Sequence, residues 1–306
     1  MSSSDLVSLI SSAVLEARIG LGSVALPAYD YLLTLDEEVR LIWLRKKTGA
    51  SWLFLVIRYH ALVAMVFLQA ISAMPMSDNA CSTFVKAQAA VQFAQYLTWA
   101  AFSALRALAL SGMNWLAAAI VFVLACGPFA VNVWQITAVG VVGFNIPEVG
   151  CIGSSNITAA EAKILFDILG TAVSRSCIIA ADLMVIIISW WFAAKDWTIR
   201  DIRSPTMSLT RVMVLNGTTY FLALTLLNIL HLTLTLLSLV GVADQISPVT
   251  IFVDPLTAIL ICRFLLDLHA ANSRSLELAG RQSALRIGLR GVDGWNRRVV
   301  DFVDRA

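Results

Sequence analysis

The chain has 306 residues, of which 59% are hydrophobic and 14% charged, with a net charge of +2 and a mean hydropathy of +0.81. Soluble domains average roughly 45–50% apolar and about 25% charged, so this composition excludes an ordinary soluble fold and predicts an integral membrane protein. No basic tract suits nucleic acid, and the scattered cysteines and histidines form no Cys-x-x-Cys or His-x-x-x-His pair, so neither a metal site nor a cofactor is expected.

A helix needs about 20 mostly apolar residues to cross roughly 30 Å of hydrocarbon. Seven stretches qualify, at about 18–35, 52–74, 87–110, 114–136, 164–192, 212–240 and 246–268. Helices are expected throughout, because unpaired backbone groups are too costly in lipid and no β-barrel alternation is present. The N-terminal segment MSSSDLVSLISSAVLEARIG lacks the basic start and continuous apolar core of a cleaved signal peptide. The first span is the most polar, with Gly20, Gly22, Pro27 and Asp30 inside it. It ends at the acidic cluster Asp36-Glu37-Glu38, and a short amphipathic piece follows to Arg45-Lys46-Lys47. Gly127-Pro128 predicts a kink in the fourth span. The predicted architecture is an all-α bundle of seven transmembrane helices over residues 1–268, followed by an Arg-rich tail over 269–306. The tail places Val292, Trp295, Val299 and Phe302 at helical spacing, which suits either the anionic inner leaflet or a disordered segment.

Orientation follows from the basic residues. Arg40, Arg45, Lys46 and Lys47 lie after span 1, Lys195, Arg200, Arg203 and Arg211 between spans 5 and 6, and seven arginines in the tail. The opposite side holds only Arg18, Lys86 and Lys163. The N-terminus is therefore expected outside and the C-terminus in the cytosol. Asn156-Ile157-Thr158, a glycosylation sequon, and both loop cysteines, Cys81 and Cys151, then fall on the oxidising face. A Cys81–Cys151 disulfide and glycosylation at Asn156 are predicted; two unpaired loop thiols are the alternative. Tryptophans at 43, 52, 115, 134, 190, 191 and 197 mark the interfaces.

Several runs resemble a known family. Tyr29–Lys47 with Arg58-Tyr59, Leu105-Arg106-Ala107-Leu108, Ala181-Asp182 through Trp190-Trp191, Asn216-Gly217-Thr218-Thr219-Tyr220-Phe221 and Leu256 through Leu266 are similar to a large group of mushroom-type fungal membrane proteins. Their opening is a domain of unknown function numbered 6533. Asn216 departs from the aspartate expected there. The resemblance implies a fungal seven-span protein without an established activity, and it supplies no catalytic residues.

A charge at mid-bilayer costs about 2.5–3.5 kcal/mol on insertion scales, so each one needs a partner or a wet cavity. Asp30 and Arg58 lie at similar depth from the cytosolic boundary on adjacent helices, which predicts an Asp30–Arg58 ion pair; the alternative is an Arg58 that snorkels to the headgroups. In span 3, Gln88, Gln92, Gln95, Trp99, Phe102 and Arg106 follow steps of four and three and share one helical face. With Asn228, His231 and Thr235 of span 6 and Asp254 of span 7, the glutamines form a candidate interior polar cavity. The competing reading is interhelical hydrogen bonding, at about 0.6 kcal/mol per contact. Arg175 and Asp182 of span 5 are seven apart and expected to pair with other helices, with Asn228 or Asp254 the neighbours that depth favours. His231 is either proton-sensitive or a packing residue.

The count of spans, their orientation, the outer cysteines and the span 3 stripe favour a receptor-like or sensing protein. Asp254-Pro255 is similar to the Asn/Asp-Pro of G-protein-coupled receptors, but Ala258 stands where that motif has tyrosine. A small-solute or proton-coupled transporter is the alternative, carried by Arg175, Asp182 and Asp254, although no internal repeat is present. A structural assembly protein is a further alternative. No Gly-x-Ser-x-Gly, phosphate loop or metal set points to an enzyme. Expected partners are membrane lipid and either a small-molecule ligand or a cytosolic signalling protein. The plasma membrane and other secretory-pathway membranes suit the chain equally.

Overall fold

The computed structural model describes residues 3–146, 150–155, 160–200, 209–239 and 251–274. Among the described residues, the regular structure is helical apart from one hairpin. Helix α1 spans Ser3–Glu38 and continues into a π-helical turn, Val39–Trp43. Helix α2 is Gly49–Leu62, a second π segment is Val63–Phe67, and α3 is Leu68–Ser72. Helix α4 spans Asp78–Leu110, α5 Trp115–Ala125, and α6 Gly127–Val139. Strands β1 (Val141–Ile146) and β2 (Gly150–Ser155) pair antiparallel, with Phe144 opposite Ile152 and Asn145 opposite Cys151. Helices α7 (Ala160–Arg200) and α8 (Leu209–Leu239) follow, and α9 covers 253–274. The sequon at Asn156, the loop at 201–208 and the tail beyond 274 lie outside the described residues.

Among the described residues, four helical stretches are long and apolar enough to cross a membrane: Gly49–Ser72, Trp115–Val139, Leu169–Trp191 and Gly217–Leu237. The packing agrees with a lipid surround, because polarity is inverted relative to a soluble bundle. Leu32, Trp52, Val123, Ile187, Trp191 and Leu226 are exposed, while Asp30, Glu38, Arg58, Gln95, Arg106, Arg175, Asp182 and Asn228 are buried. A soluble protein rarely exposes so much large apolar surface. Helices α1, α4 and α9 fall outside the four apolar stretches because they carry much of that interior polarity.

Sequence chemistry sets most helix ends. Thr48 and Ser51 form a reciprocal capping box at the start of α2, and Ser77 and Asn114 cap α4 and α5 through their side-chain oxygens. The fourth predicted span is interrupted at Cys126, where α5 ends and α6 begins with Gly127-Pro128. Pro128 has no backbone N–H to continue the helical ladder.

The loop expected between the fourth and fifth spans is instead the β-hairpin. It lies over the end of the bundle formed by α3 and the start of α4; this end is called the hairpin end below. The Asn145 amide donates to Asp78 Oδ1 at 3.1 Å. Gly150 has φ of 93°, and a Cβ there would collide with the Ser72 carbonyl, so only glycine permits this approach. Cys81 and Cys151 form the predicted disulfide, with Cα atoms 5.5 Å apart, and both residues are buried. The bridge closes a chain segment of 70 residues, and a native bridge of this kind contributes about 2–5 kcal/mol. Cys81→Ser and Cys151→Ser are expected to lower the melting temperature of the detergent-solubilised protein by similar amounts. The double variant should melt no lower than either single one, measured by a thermal ramp in the absence of reductant.

Candidate functional site

Polar side chains meet at two levels of the bundle. Ser23, Asp30, Thr34 and Glu38 recur along one face of α1, and all four are buried; the last three run toward the end opposite the hairpin. Steps of seven and four residues keep one face of a helix. Arg58 of α2 enters this seam. Its Nε lies 2.7 Å from Glu38 Oε2, with the two side chains 4% and 0% exposed. Its Nη2 donates to Thr34 Oγ1 at 2.7 Å and to the Tyr31 carbonyl at 3.1 Å. The guanidinium also lies over the rings of Tyr31 and Phe54, at 4.7 and 5.5 Å. Tyr59 and Trp43 both donate to Glu38 Oε1, at 2.9 and 2.8 Å. The π turn at Val39–Trp43 makes the last contact geometrically accessible, since a wider turn brings the side chain five positions on back over Glu38. We call this assembly the clasp.

The expected Asp30–Arg58 pair does not form. Asp30 accepts from Arg263 of α9 at 2.7 Å, while Arg58 extends along the seam to Glu38. Equal depth brought Asp30 and Arg58 to one level, but a long guanidinium side chain reaches past its own level, and Asp30 faces α9. Glu38, read from sequence only as part of the acidic cluster that ends span 1, is fully buried, whereas its neighbours Asp36 and Glu37 are exposed. Its signal was the Asp30-Thr34-Glu38 spacing. Arg263 was also overlooked, although it is a charge inside the seventh predicted span.

At the hairpin end, four helices bring polar groups together. Arg175 of α7 donates to Asn228 Oδ1 of α8 at 3.1 Å, and its Nη2 lies 3.5 Å from Asp254 Oδ1 of α9. Tyr96 of α4 donates to Asp254 Oδ2 at 3.1 Å. Asn228 donates back to the Leu224 carbonyl at 3.0 Å. Asp182 is buried against this group, and its Oδ2 has no hydrogen-bond partner among the described residues. Two cavities adjoin the cluster. The larger, ≈ 160 Å³, is lined by Ser23, Val24, Met65, Gln69, Gln92, Gln95, Tyr96, Trp99, Ile251, Asp254 and Pro255. The smaller, ≈ 40 Å³, is lined by Arg175, Asp182, Asn228, Ser103 and Thr257 among others. Tyr96 and Trp99, in edge contact with centroids 5.5 Å apart, belong to the walls of both.

Of the residues read from sequence as cavity-lining, Gln92, Gln95 and Asp254 line the larger cavity and Asn228 the smaller one. Gln88 is half-buried and donates to Gln69 Oε1 at 3.4 Å. His231 and Thr235 line neither of these cavities; Thr235 donates to the His231 carbonyl at 2.9 Å. Arg106, at the far end of the glutamine stripe, is buried, its guanidinium 4.7 and 4.6 Å from the rings of Phe221 and Phe264. It fills a notch at Gly217, where any Cβ would collide with it.

Residues 19–63 match a family described as "Family of unknown function (DUF6533)". No curated protein matches the chain. The matched segment contains the whole clasp, from Tyr31 through Glu38 and Trp43 to Arg58 and Tyr59. Of the large cavity it supplies only Ser23 and Val24.

Breaking a buried ion pair by removing one partner typically costs about 3–5 kcal/mol. Glu38→Gln and Arg58→Gln should each lower the melting temperature strongly, and the double variant should melt no lower than the worse single one. Asp30→Asn combined with Arg58→Gln should be close to additive in the same thermal melts, since those two groups have different partners.

Proposed function

We propose that the protein is a non-enzymatic, receptor-like membrane protein of seven transmembrane helices that senses a small molecule in the larger cavity. The observation that carries this reading is the position of that cavity. It touches Asp254, and Asp254 contacts Arg175 across α7 and α9 at 3.5 Å. A ligand bound there reaches a loosely closed ionic contact between helices, and only such differential contact can shift a conformational equilibrium.

Seven spans are supported by the three further helical stretches of α1, α4 and α9. Of their polar residues, Asp30, Glu38, Gln95 and Arg106 are buried, Asp30 pairs with Arg263 of α9, and Asp254 of α9 contacts Arg175 of α7. An N-terminus outside and a C-terminus in the cytosol are supported by Arg40, Arg45, Lys46 and Lys47 at the clasp end. The disulfide at the opposite end suits an oxidising compartment. The plasma membrane or another secretory-pathway membrane is the setting that follows. A proton-coupled transporter is the second reading, favoured by the Asp182 carboxylate, which is buried with an oxygen lacking a partner.

Sensing requires that binding at the hairpin end alter the other end. Leu44 is 77% exposed beside the clasp. An environment-sensitive fluorophore on Leu44→Cys should change its emission when a cavity ligand binds, and Gln95→Leu should abolish that response. Solute flux in proteoliposomes that disappears in Asp182→Asn would favour the transporter. For orientation, Asn156→Gln should remove a glycosidase-sensitive gel shift of the protein expressed in a eukaryotic host; an unglycosylated wild-type chain would count against the N-out topology.

A further inference from the structure

The walls of the larger cavity define what it can hold. Among the described residues that line it, Asp254 is the only charged side chain. Its carboxylate is 36% exposed, while Arg175, which contacts it from the neighbouring cavity, is 10% exposed. A carboxylate has about four lone-pair sites. Tyr96 occupies one at 3.1 Å, and Arg175 approaches another at 3.5 Å, so accepting capacity remains toward the cavity.

The opposite chemistry stands on α4. Gln95 Nε2 and Trp99 Nε1 are buried N–H donors without a hydrogen-bond partner among the described residues, and both residues line the cavity. Gln95 is 3% exposed and Trp99 9%. Their spacing of four places them on one face, about 6 Å apart along the helix axis. A buried donor left unpaired costs about 1–3 kcal/mol, and two on residues that line one cavity favour an occupant that brings oxygen acceptors. The ring faces of Tyr96 and Trp99 add a surface that attracts cations.

We infer that this cavity binds a small primary amine carrying an oxygen acceptor at its other end, with the ammonium against Asp254 and the acceptor against Gln95 and Trp99. This deepens the sensing reading and rests on it for the consequence of binding. A simple anion would lie against Asp254 with only neutral donors to hold it. An apolar molecule would leave both N–H groups unpaired. Size sets a further limit. A protein cavity of about 150 Å³ holds one benzene molecule, so ≈ 160 Å³ suits roughly six to eight non-hydrogen atoms. Amino alcohols and small amino acids fall in this class.

The test uses the full chain, purified in detergent and labelled at Leu44→Cys as above. Binding of γ-aminobutyrate and 4-aminobutan-1-ol is compared with that of butyrate and 1-butanol by calorimetry. At least one amine is expected to bind at least tenfold more tightly than either amine-free compound. Asp254→Asn and Gln95→Leu should each weaken it at least tenfold. Gln95 takes part in no ion pair, so Gln95→Leu keeps the test valid if Asp254→Asn fails to fold. Equal or tighter binding of butyrate, amine affinity untouched by Gln95→Leu, or heat from neither amine would overturn the inference. Amine binding without a fluorescence change would leave the ligand class standing and overturn the sensing reading. A fluorescence response to butyrate, blocked by Gln95→Leu, would do the reverse.

Discussion

The clasp fixes the geometry of the N-terminal hairpin. A charge in a low-dielectric interior is tolerated only when it is paired and its remaining hydrogen-bonding sites are filled. Glu38 and Arg58 are paired with each other, and polar groups and aromatic rings surround them. One carboxylate takes Arg58, Tyr59 and Trp43, and one guanidinium takes Glu38, Thr34, the Tyr31 carbonyl and two ring faces. Each contact sets the rotation of α1 about its own axis relative to α2. The next ion pair, Asp30 with Arg263, joins the same helix to α9. Helices α1, α2 and α9 are therefore tied along one polar seam.

That seam also positions the cavity. Ser23 lies on the same face of α1 as Asp30, two turns away, and forms part of the cavity wall at the hairpin end. Gln69 reaches the cavity from α3, and Asp254 from the first turn of α9. A shift in how α1 and α9 lie against α2 therefore changes the shape of the cavity at one end and the strength of the clasp at the other. Arg106 supplies a second tie. Held between Phe221 and Phe264 in the notch at Gly217, it fastens α4 to α8 and α9. Its seat depends on a missing side chain as much as on the aromatic faces.

Much of this was legible in the residues, for identifiable reasons. The step pattern from Gln88 to Arg106 marked the inward face of α4, because a run of glutamines at helical spacing has no stable place in lipid. Cys81 and Cys151 were recognisable as the two loop cysteines, and Arg175 was matched to Asn228 and Asp254 on depth alone. The hairpin went unread, although Val141-Val142-Gly143-Phe144-Asn145-Ile146 is a short run rich in β-branched and aromatic residues between two turn formers. Glu38 was not singled out from its acidic cluster, because local composition outweighed the spacing of four residues from Thr34 and eight from Asp30.

The sequence by itself determined that this protein belongs in a membrane, where its helices run and which faces are polar, because hydropathy and periodicity are local properties of a chain. Only the tertiary structure decided which charge meets which. Asp30 and Arg58 stand at one depth, yet the partners are Arg263 and Glu38. A partner depends on helix rotation, on side-chain reach and on a π turn that re-aims Trp43, and these are settled when the whole bundle packs at once. The cavity belongs to the same category. Its glutamines were visible in one helix, but its volume, its carboxylate and the two N–H groups that have no partner among the described residues come together only where α1, the π segment Val63–Phe67, α3, α4 and α9 converge.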